Sequence, residues 1–298
     1  MKNQSLEFYL VDVFAEKPLA GNQLAVFLDS GSLSGRTMQA IAREMHFSET
    51  AFVLSRRPRQ AGYDVRIFTP EEEVPFAGHP TLGTAYVIQQ TILRKQVARV
   101  RLNLKVGPIP VDFQYRNNRP DILWMEQNPP KFGKTFEPAA IARALGLSRT
   151  DLDARFPVRE VSTGLPFVIA PLKTLNAIKK IEVNRTGFLK VLKKARARCI
   201  LVFCPQTYSK QNDLNVRMFA PLYGIPEDPA TGSANGCLAG YLVEHRYFSK
   251  PWIDIRVEQG YEIERPSILY LRARQEAGHI RVRVGGKVFM VSRGTLYR

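Results

Sequence analysis

Two short loops hold the residues of this chain best suited to proton chemistry: Gly78-His79-Pro80-Thr81 and Glu227-Asp228-Pro229-Ala230-Thr231-Gly232-Ser233-Ala234. Imidazole and carboxylate groups both take and return protons in water, and the small residues around them let backbone N–H groups approach a ligand. In each loop a strand-like run ends, proline and glycine turn the chain, and a helix rich in small apolar residues begins. A helix start leaves N–H groups without intrahelical partners at the positive end of the dipole, which suits a carboxylate. Pro80 fits the first turn, where its missing N–H would have no partner anyway. Asp228 keeps a second meaning as N-cap of the helix that follows, since Asp is a favoured cap. Glu49, in Ser48-Glu49-Thr50-Ala51-Phe52, is by itself an acidic residue between a helix end and a strand, and a surface position is its plainer reading. Glu71-Glu72-Glu73 reads as a solvated turn.

Other chemistries find little support. His46, His245 and His279 have no partner at metal-ligand spacing, so no metal is expected. Ser233 lacks the G-x-S-x-G elbow of a nucleophile and suits hydrogen bonding instead. No phosphate-binding glycine loop is present, and no cofactor is implied. Cys199, Cys204 and Cys237 form no C-x-x-C pair and leave an odd count, which fits a reducing compartment.

The elements that carry the two loops repeat. Val65-Arg66-Ile67-Phe68-Thr69-Pro70 matches Val216-Arg217-Met218-Phe219-Ala220-Pro221 at Val, Arg, Phe and Pro. Further likenesses keep the same order: Gly21 and Leu24–Phe27 with Gly164 and Phe167–Ala170, Ala51–Leu54 with Ile200–Phe203, Gly107 near Gly260. Ordered matches at a nearly constant offset indicate duplication. Strands are expected at Leu6–Phe14, Leu24–Leu28, Thr50–Leu54 and Tyr63–Phe68. Ser34 should cap a helix carrying Met38, Ile41, Ala42 and Met45 to His46, and later helices should follow Pro80 and run from about Ala230 to Glu244. Hairpin-like spacing outweighs βαβ crossovers, so the fold class is α+β, with two similar domains. The expected domains are 1–126 and 127–298, divided in the turn-rich Glu126–Gly133, with a last strand at 287–298 free to pack on the first domain. Duplicated domains favour a ligand site between the copies, where His79 and Asp228 would reach one ligand from opposite sides.

The chain has 298 residues, 45% hydrophobic and 23% charged, enough for a sizeable core and incompatible with disorder. No apolar run is long enough to span a membrane. The first twenty residues lack an h-region, so a cytoplasmic location is expected. Lys and Arg number 43 against 27 Asp and Glu, a net charge of +16. The charge is spread, with small clusters at Arg56–Arg59 and Lys193–Arg198, and no aromatic-studded basic stripe accompanies it. Solubility and attraction of anionic metabolites explain it better than nucleic acid.

Taken together, Gly21-Asn22, Ser48-Glu49-Thr50-Ala51-Phe52, Phe68-Thr69-Pro70, Gly78-His79-Pro80-Thr81, Val216-Arg217-Met218-Phe219 and Glu227–Ala234 resemble the PhzF family of phenazine-biosynthesis-like proteins. The resemblance runs from residue 12 to about 240. It implies a diaminopimelate-epimerase-like fold of two pseudo-symmetric halves, each a mostly antiparallel sheet wrapped around a central helix. It also implies an isomerase that moves a proton on a small cyclic or unsaturated carboxylate without cofactor or metal, acting as a homodimer. By the same likeness Glu49 is the principal acid/base, with His79 and Asp228 in catalytic positions. Asn22, Ser48, Gly78, Thr231, Gly232 and Ser233 then line the substrate site. Gln23 departs from the family's usual proline. Epimerase relatives use one cysteine in each helix-start loop; neither loop has one here, and Cys237 falls inside the second helix. Alternatives are an epimerase using carboxylate and imidazole, and a metabolite-binding protein without turnover.

Overall fold

The computed structural model describes residues 5–193 and 195–297. Lys194 of the basic cluster and the outermost residues of the two expected domains lie outside the described residues. Contacts divide the chain into two compact units, one reaching Met125 and including the residues from Gly285 on, the other Glu126–Val284.

The first unit runs β1 (Ser5–Val13), β2 (Asn22–Phe27), α1 (Gly35–Met45), β3 (Glu49–Val53), β4 (Tyr63–Phe68), β5 (Glu73–Val74), α2 (Gly78–Ile88), β6 (Arg99–Leu104), β7 (Gly107–Arg116) and β8 (Arg119–Gln127). The second runs β9 (Lys131–Thr135), α3 (Pro138–Ala144), β10 (Arg159–Ser162), β11 (Pro166–Pro171), α4 (Leu175–Lys179), α5 (Arg185–Leu192), β12 (Ile200–Cys204), β13 (Leu214–Phe219), α6 (Gly232–Glu244), β14 (Trp252–Gln259), β15 (Ser267–Glu276) and β16 (His279–Gly286). A final strand, β17 (Val288–Tyr297), pairs antiparallel along the whole of β1, so the end of the chain completes the first unit.

The strand pairings of the units follow one plan. In the first, β1–β2 is antiparallel, β2–β3 parallel, β3–β4 antiparallel, β4–β6 parallel and β6–β7 antiparallel. In the second, β10–β11, β11–β12, β12–β13, β13–β14 and β14–β15 repeat that series of directions. The fold is thus a duplicated α+β module with a mixed, mainly antiparallel sheet in each half. One sequence match needs correction. Thr50 pairs with Phe68 and Ile200 pairs with Phe219, so Thr50, not Ala51, is the counterpart of Ile200. A one-residue slip would turn every side chain of the strand to its opposite face.

The central helices are buried nearly all round and rich in small apolar residues, as suits a helix enclosed by sheet. In α2 every residue except Tyr86 is buried; in α6 only Ser233 and Glu244 are not. Close approach is built in at Gly83, where a Cβ would meet Leu24 Cδ2 at 2.6 Å and Val13 Cγ2 at 2.9 Å. By contrast α1 is amphipathic. Ser34 accepts a hydrogen bond from Thr37 N–H as N-cap, Met38, Ile41 and Ala42 face the core, and His46 ends the helix at φ 54°.

The repeated Val-Arg-x-Phe-x-Pro segment has a physical explanation. Arg66 lies over the Phe68 ring and bonds Glu73 through Nε and Nη2 at 2.8 and 2.7 Å. Arg217 lies over Phe219 and bonds Glu227 at 2.9 and 2.6 Å, while its Nη1 donates to the Ile178 carbonyl. Each arginine pins the loop that leads into a central helix. Glu73 therefore leaves the solvated turn expected of it: Arg66 and Lys105 both hold it, and only Glu71 and Glu72 are exposed.

Candidate active site

In the first unit three element starts supply the polar groups. The αL turn at His46 reverses the chain out of α1, and after Ser48 the strand β3 opens on Glu49. Its register opposite Leu24 sets Glu49 beside the first residues of β2, Asn22 and Gln23; Asn22 is buried. The start of α2 brings Gly78 and His79, both buried. His79 Nε2 lies 3.6 Å from Glu49 Oε2, with side chains 5% and 18% exposed. Burial lowers the imidazole to about 3, against a smaller opposing effect of its hydrogen bond with the Gln23 backbone. A backbone contact that favours the cation is one in which the ring donates to the carbonyl. Nε2 has no hydrogen-bond partner, so the donor is Nδ1, and the ring is a neutral tautomer with its Nε2 lone pair toward Glu49.

In the second unit Asp228 is buried and accepts a hydrogen bond from the Thr231 hydroxyl. The N-cap alternative for Asp228 does not hold. The cap position is Thr231, no side chain caps α6, and the helix starts at Gly232 rather than Ala230. Three residues stand between Asp228 and Gly232, so Asp228 is not the residue that flanks the helix. Ala77 at the start of α2 cannot cap either, so both central helices begin without a side-chain cap. Gly232 is buried and Ser233 partly exposed, with Thr231 between Asp228 and the helix.

Sequence reasoning missed two features. Gln259 and Asn235, fully buried, bond the Asp228–Thr231 loop. They lie 24 residues apart, and no local motif links them. Secondly, the corrected register makes Cys199 the counterpart of Glu49, each being the residue before the paired Ile200 and Thr50. Superposing Phe68 on Phe219 in sequence puts Glu49 on Ile200, so only the strand ladders supply this counterpart. The halves are thus alike in fold and different in chemistry: Glu49 and His79 in one, Cys199 and Ser233 with Asp228 in the other. Cys199 is buried and its thiol is pushed up to about 12, chiefly by burial. Cys237 packs inside α6 near Thr163, also pushed up to about 12 by burial. Neither is a ready proton carrier. Among the described residues no three His, Cys, Asp or Glu side chains gather as a metal site would need, and no helix is long and apolar enough to cross a membrane.

These features have close parallels. The chain matches the family described as phenazine biosynthesis-like protein over residues 11–294, and it belongs to that family. It is 35% identical over 293 residues to trans-2,3-dihydro-3-hydroxyanthranilate isomerase of Pseudomonas fluorescens, covering 97% of this chain and 98% of that one. The enzyme of that name from Pseudomonas aeruginosa is 35% identical over 296 residues, with 97% and 99% covered. Among solved structures, a PhzF-family phenazine biosynthesis protein from Bacillus anthracis superposes with a TM-score of 0.90 at 28% identity, covering 98% and 99%. A probable proline racemase from Agrobacterium radiobacter shares the fold alone, with a TM-score of 0.63 at 10% identity, 97% and 92% covered. The protein is an isomerase of this family.

Proposed function

We propose that the protein moves a proton on a small cyclic or unsaturated carboxylate, with Glu49 as the group that takes the proton from carbon and returns it. The observation that carries this reading is the pairing of Glu49 with a buried, neutral His79 at 3.6 Å. A carboxyl group that accepts a substrate proton needs somewhere to direct it before delivery. The His79 Nε2 lone pair can receive the hydrogen of a protonated Glu49, holding the acid in one orientation while the substrate rearranges. His79 in this reading is a positioning residue that stays uncharged. The helix-start N–H groups at Gly78 and at Gly232–Ser233 would take the substrate carboxylate and the enolate-like charge that grows as the proton leaves. Asp228, with Ser233, Asn22, Ser48 and Thr231, is assigned to holding the ligand.

The two Pseudomonas relatives are named for an isomerisation of trans-2,3-dihydro-3-hydroxyanthranilate, and that compound class is the first substrate to test. Turnover in deuterium oxide, followed by NMR, should place solvent deuterium at the carbon that gains the proton. Product formed with no deuterium, under conditions where a control carboxyl exchanges, would remove Glu49 as a solvent-exchanging carrier. A cytoplasmic homodimer belongs to the same reading. The three free cysteines fit it, and light scattering would measure the assembly.

A further inference from the structure

The duplication supplies an internal control. Where α2 begins after Ala77, α6 begins after Thr231. One step beyond the Asp64–Asn103 pair of β4 and β6 stands Leu104, and one step beyond the Asn215–Glu258 pair of β13 and β14 stands Gln259. The first half builds this junction from Ala77 and Leu104, so the fold does not require polar groups here. The second half puts Thr231 and Gln259 there, and Gln259 is fully buried.

A buried amide is costly unless its hydrogen bonds are made. All of those of Gln259 are. Its Oε1 accepts from Thr231 N–H at 3.2 Å and from Asn235 Nδ2 at 2.9 Å. Its Nε2 donates to the Asp228 carbonyl at 2.9 Å and to Thr231 Oγ1 at 3.2 Å. Two donors facing Oε1 fix which end of the amide is oxygen. Because Thr231 Oγ1 then accepts from Nε2, its single hydrogen has one use left, donation to Asp228 Oδ2.

We infer that Gln259 is a positioning residue for the reaction: through Thr231 it dictates the orientation of the Asp228 carboxylate toward substrate. The inference rests on the assignment of Asp228 to ligand binding. Asn235 closes the arrangement by also donating to the Thr231 carbonyl, so the amide cannot turn without breaking bonds on both sides.

Anthranilate serves as the probe, its binding to the full chain measured by calorimetry alongside melting temperature. Gln259→Glu keeps the shape and the acceptor but removes both donated hydrogens. Thr231→Val removes the hydroxyl, and with it one acceptor of the amide, while leaving the Gln259 side chain in place, and so guards against a misfolded Gln259 variant. Each should weaken anthranilate binding about tenfold, the effect of one hydrogen bond to a charged group. Thr231→Ser should recover most of the loss seen with Thr231→Val. In an Asp228→Ala background, Thr231→Val should add less than about twofold, because residues acting in one network are not additive. A purely structural role would instead lower the melting temperature and leave the Thr231 and Asp228 effects additive. If Asp228→Ala weakens binding but Thr231→Val and Gln259→Glu do not, or if the effects add in full, the inference is overturned and the role of Asp228 survives. If Asp228→Ala itself binds anthranilate normally, the ligand role of Asp228 and the inference built on it both fall.

Discussion

His79 Nε2 faces Glu49 Oε2 across 3.6 Å, the imidazole buried and neutral, the carboxyl at the partly exposed mouth of a strand. A neutral ring with an unfilled acceptor beside a carboxyl group can accept a hydrogen bond from that group when it is protonated, without itself becoming charged, and this sets the first two expectations.

Glu49→Gln keeps the shape of the side chain and cannot carry a proton. Turnover of the dihydro-hydroxyanthranilate class should fall by about 10²–10⁴-fold, the usual contribution of an acid/base group, while anthranilate affinity changes by no more than a few-fold. Steady-state kinetics beside calorimetry would read both. Near-normal turnover in the variant moves the proton-carrying role elsewhere.

Burial holds His79 at about 3, below the ordinary 6.5, so the unfolded chain binds a proton there that the folded chain refuses. Stability from this group is therefore complete above pH 6.5 and is lost as pH falls toward 3, with a slope of up to about 1.4 kcal/mol per pH unit. Chemical denaturation between pH 7 and pH 4 should show a steeper loss for the wild type than for His79→Asn. In NMR titrations the His79 ring should not change charge between pH 5 and pH 8.

The two arginine pins differ in burial. Arg217 and Glu227 are 10% and 8% exposed, Arg66 and Glu73 30% and 16%. Removing one partner of a buried pair typically costs about 3–5 kcal/mol because the other charge is left uncompensated. Arg217→Met should approach that loss in urea unfolding, and Arg66→Met should cost clearly less because water and Lys105 still reach Glu73. Equal losses would show that burial does not set the difference.

The thiols give a simple check. Cys199, Cys204 and Cys237 are buried and each is pushed up to about 12, chiefly by burial. Ellman's reagent should label none within minutes in the native protein and all three in urea. Cys237→Ala should keep most of the activity, since its Sγ only packs near Thr163 and the Leu165 carbonyl. A large loss would revive a thiol route for the proton.

Much of the fold is legible in the sequence because its signals are local or repeated. Ser34 announces a cap through its own side chain, and Val65–Pro70 recurs as Val216–Pro221 because each arginine must sit on a phenylalanine and reach a glutamate. His79 and Ser233 are readable as helix-start residues from the proline and glycine around them. Tertiary structure decided what depends on register and on partners distant in sequence. Glu49 looks like a surface residue until β3 is paired opposite Leu24 and α2 brings His79 to it, 30 residues on. The one-residue shift that makes Cys199 its counterpart appears only once Phe68 and Phe219 fix the ladders. Gln259 lies 31 residues beyond Asp228, and only the parallel pairing of β13 with β14 brings its amide under that loop. Composition and local pattern specify elements, because hydrogen bonding within a turn or helix start is a property of neighbouring residues. Which polar groups meet is a property of strand register, and register is settled by packing across the whole sheet.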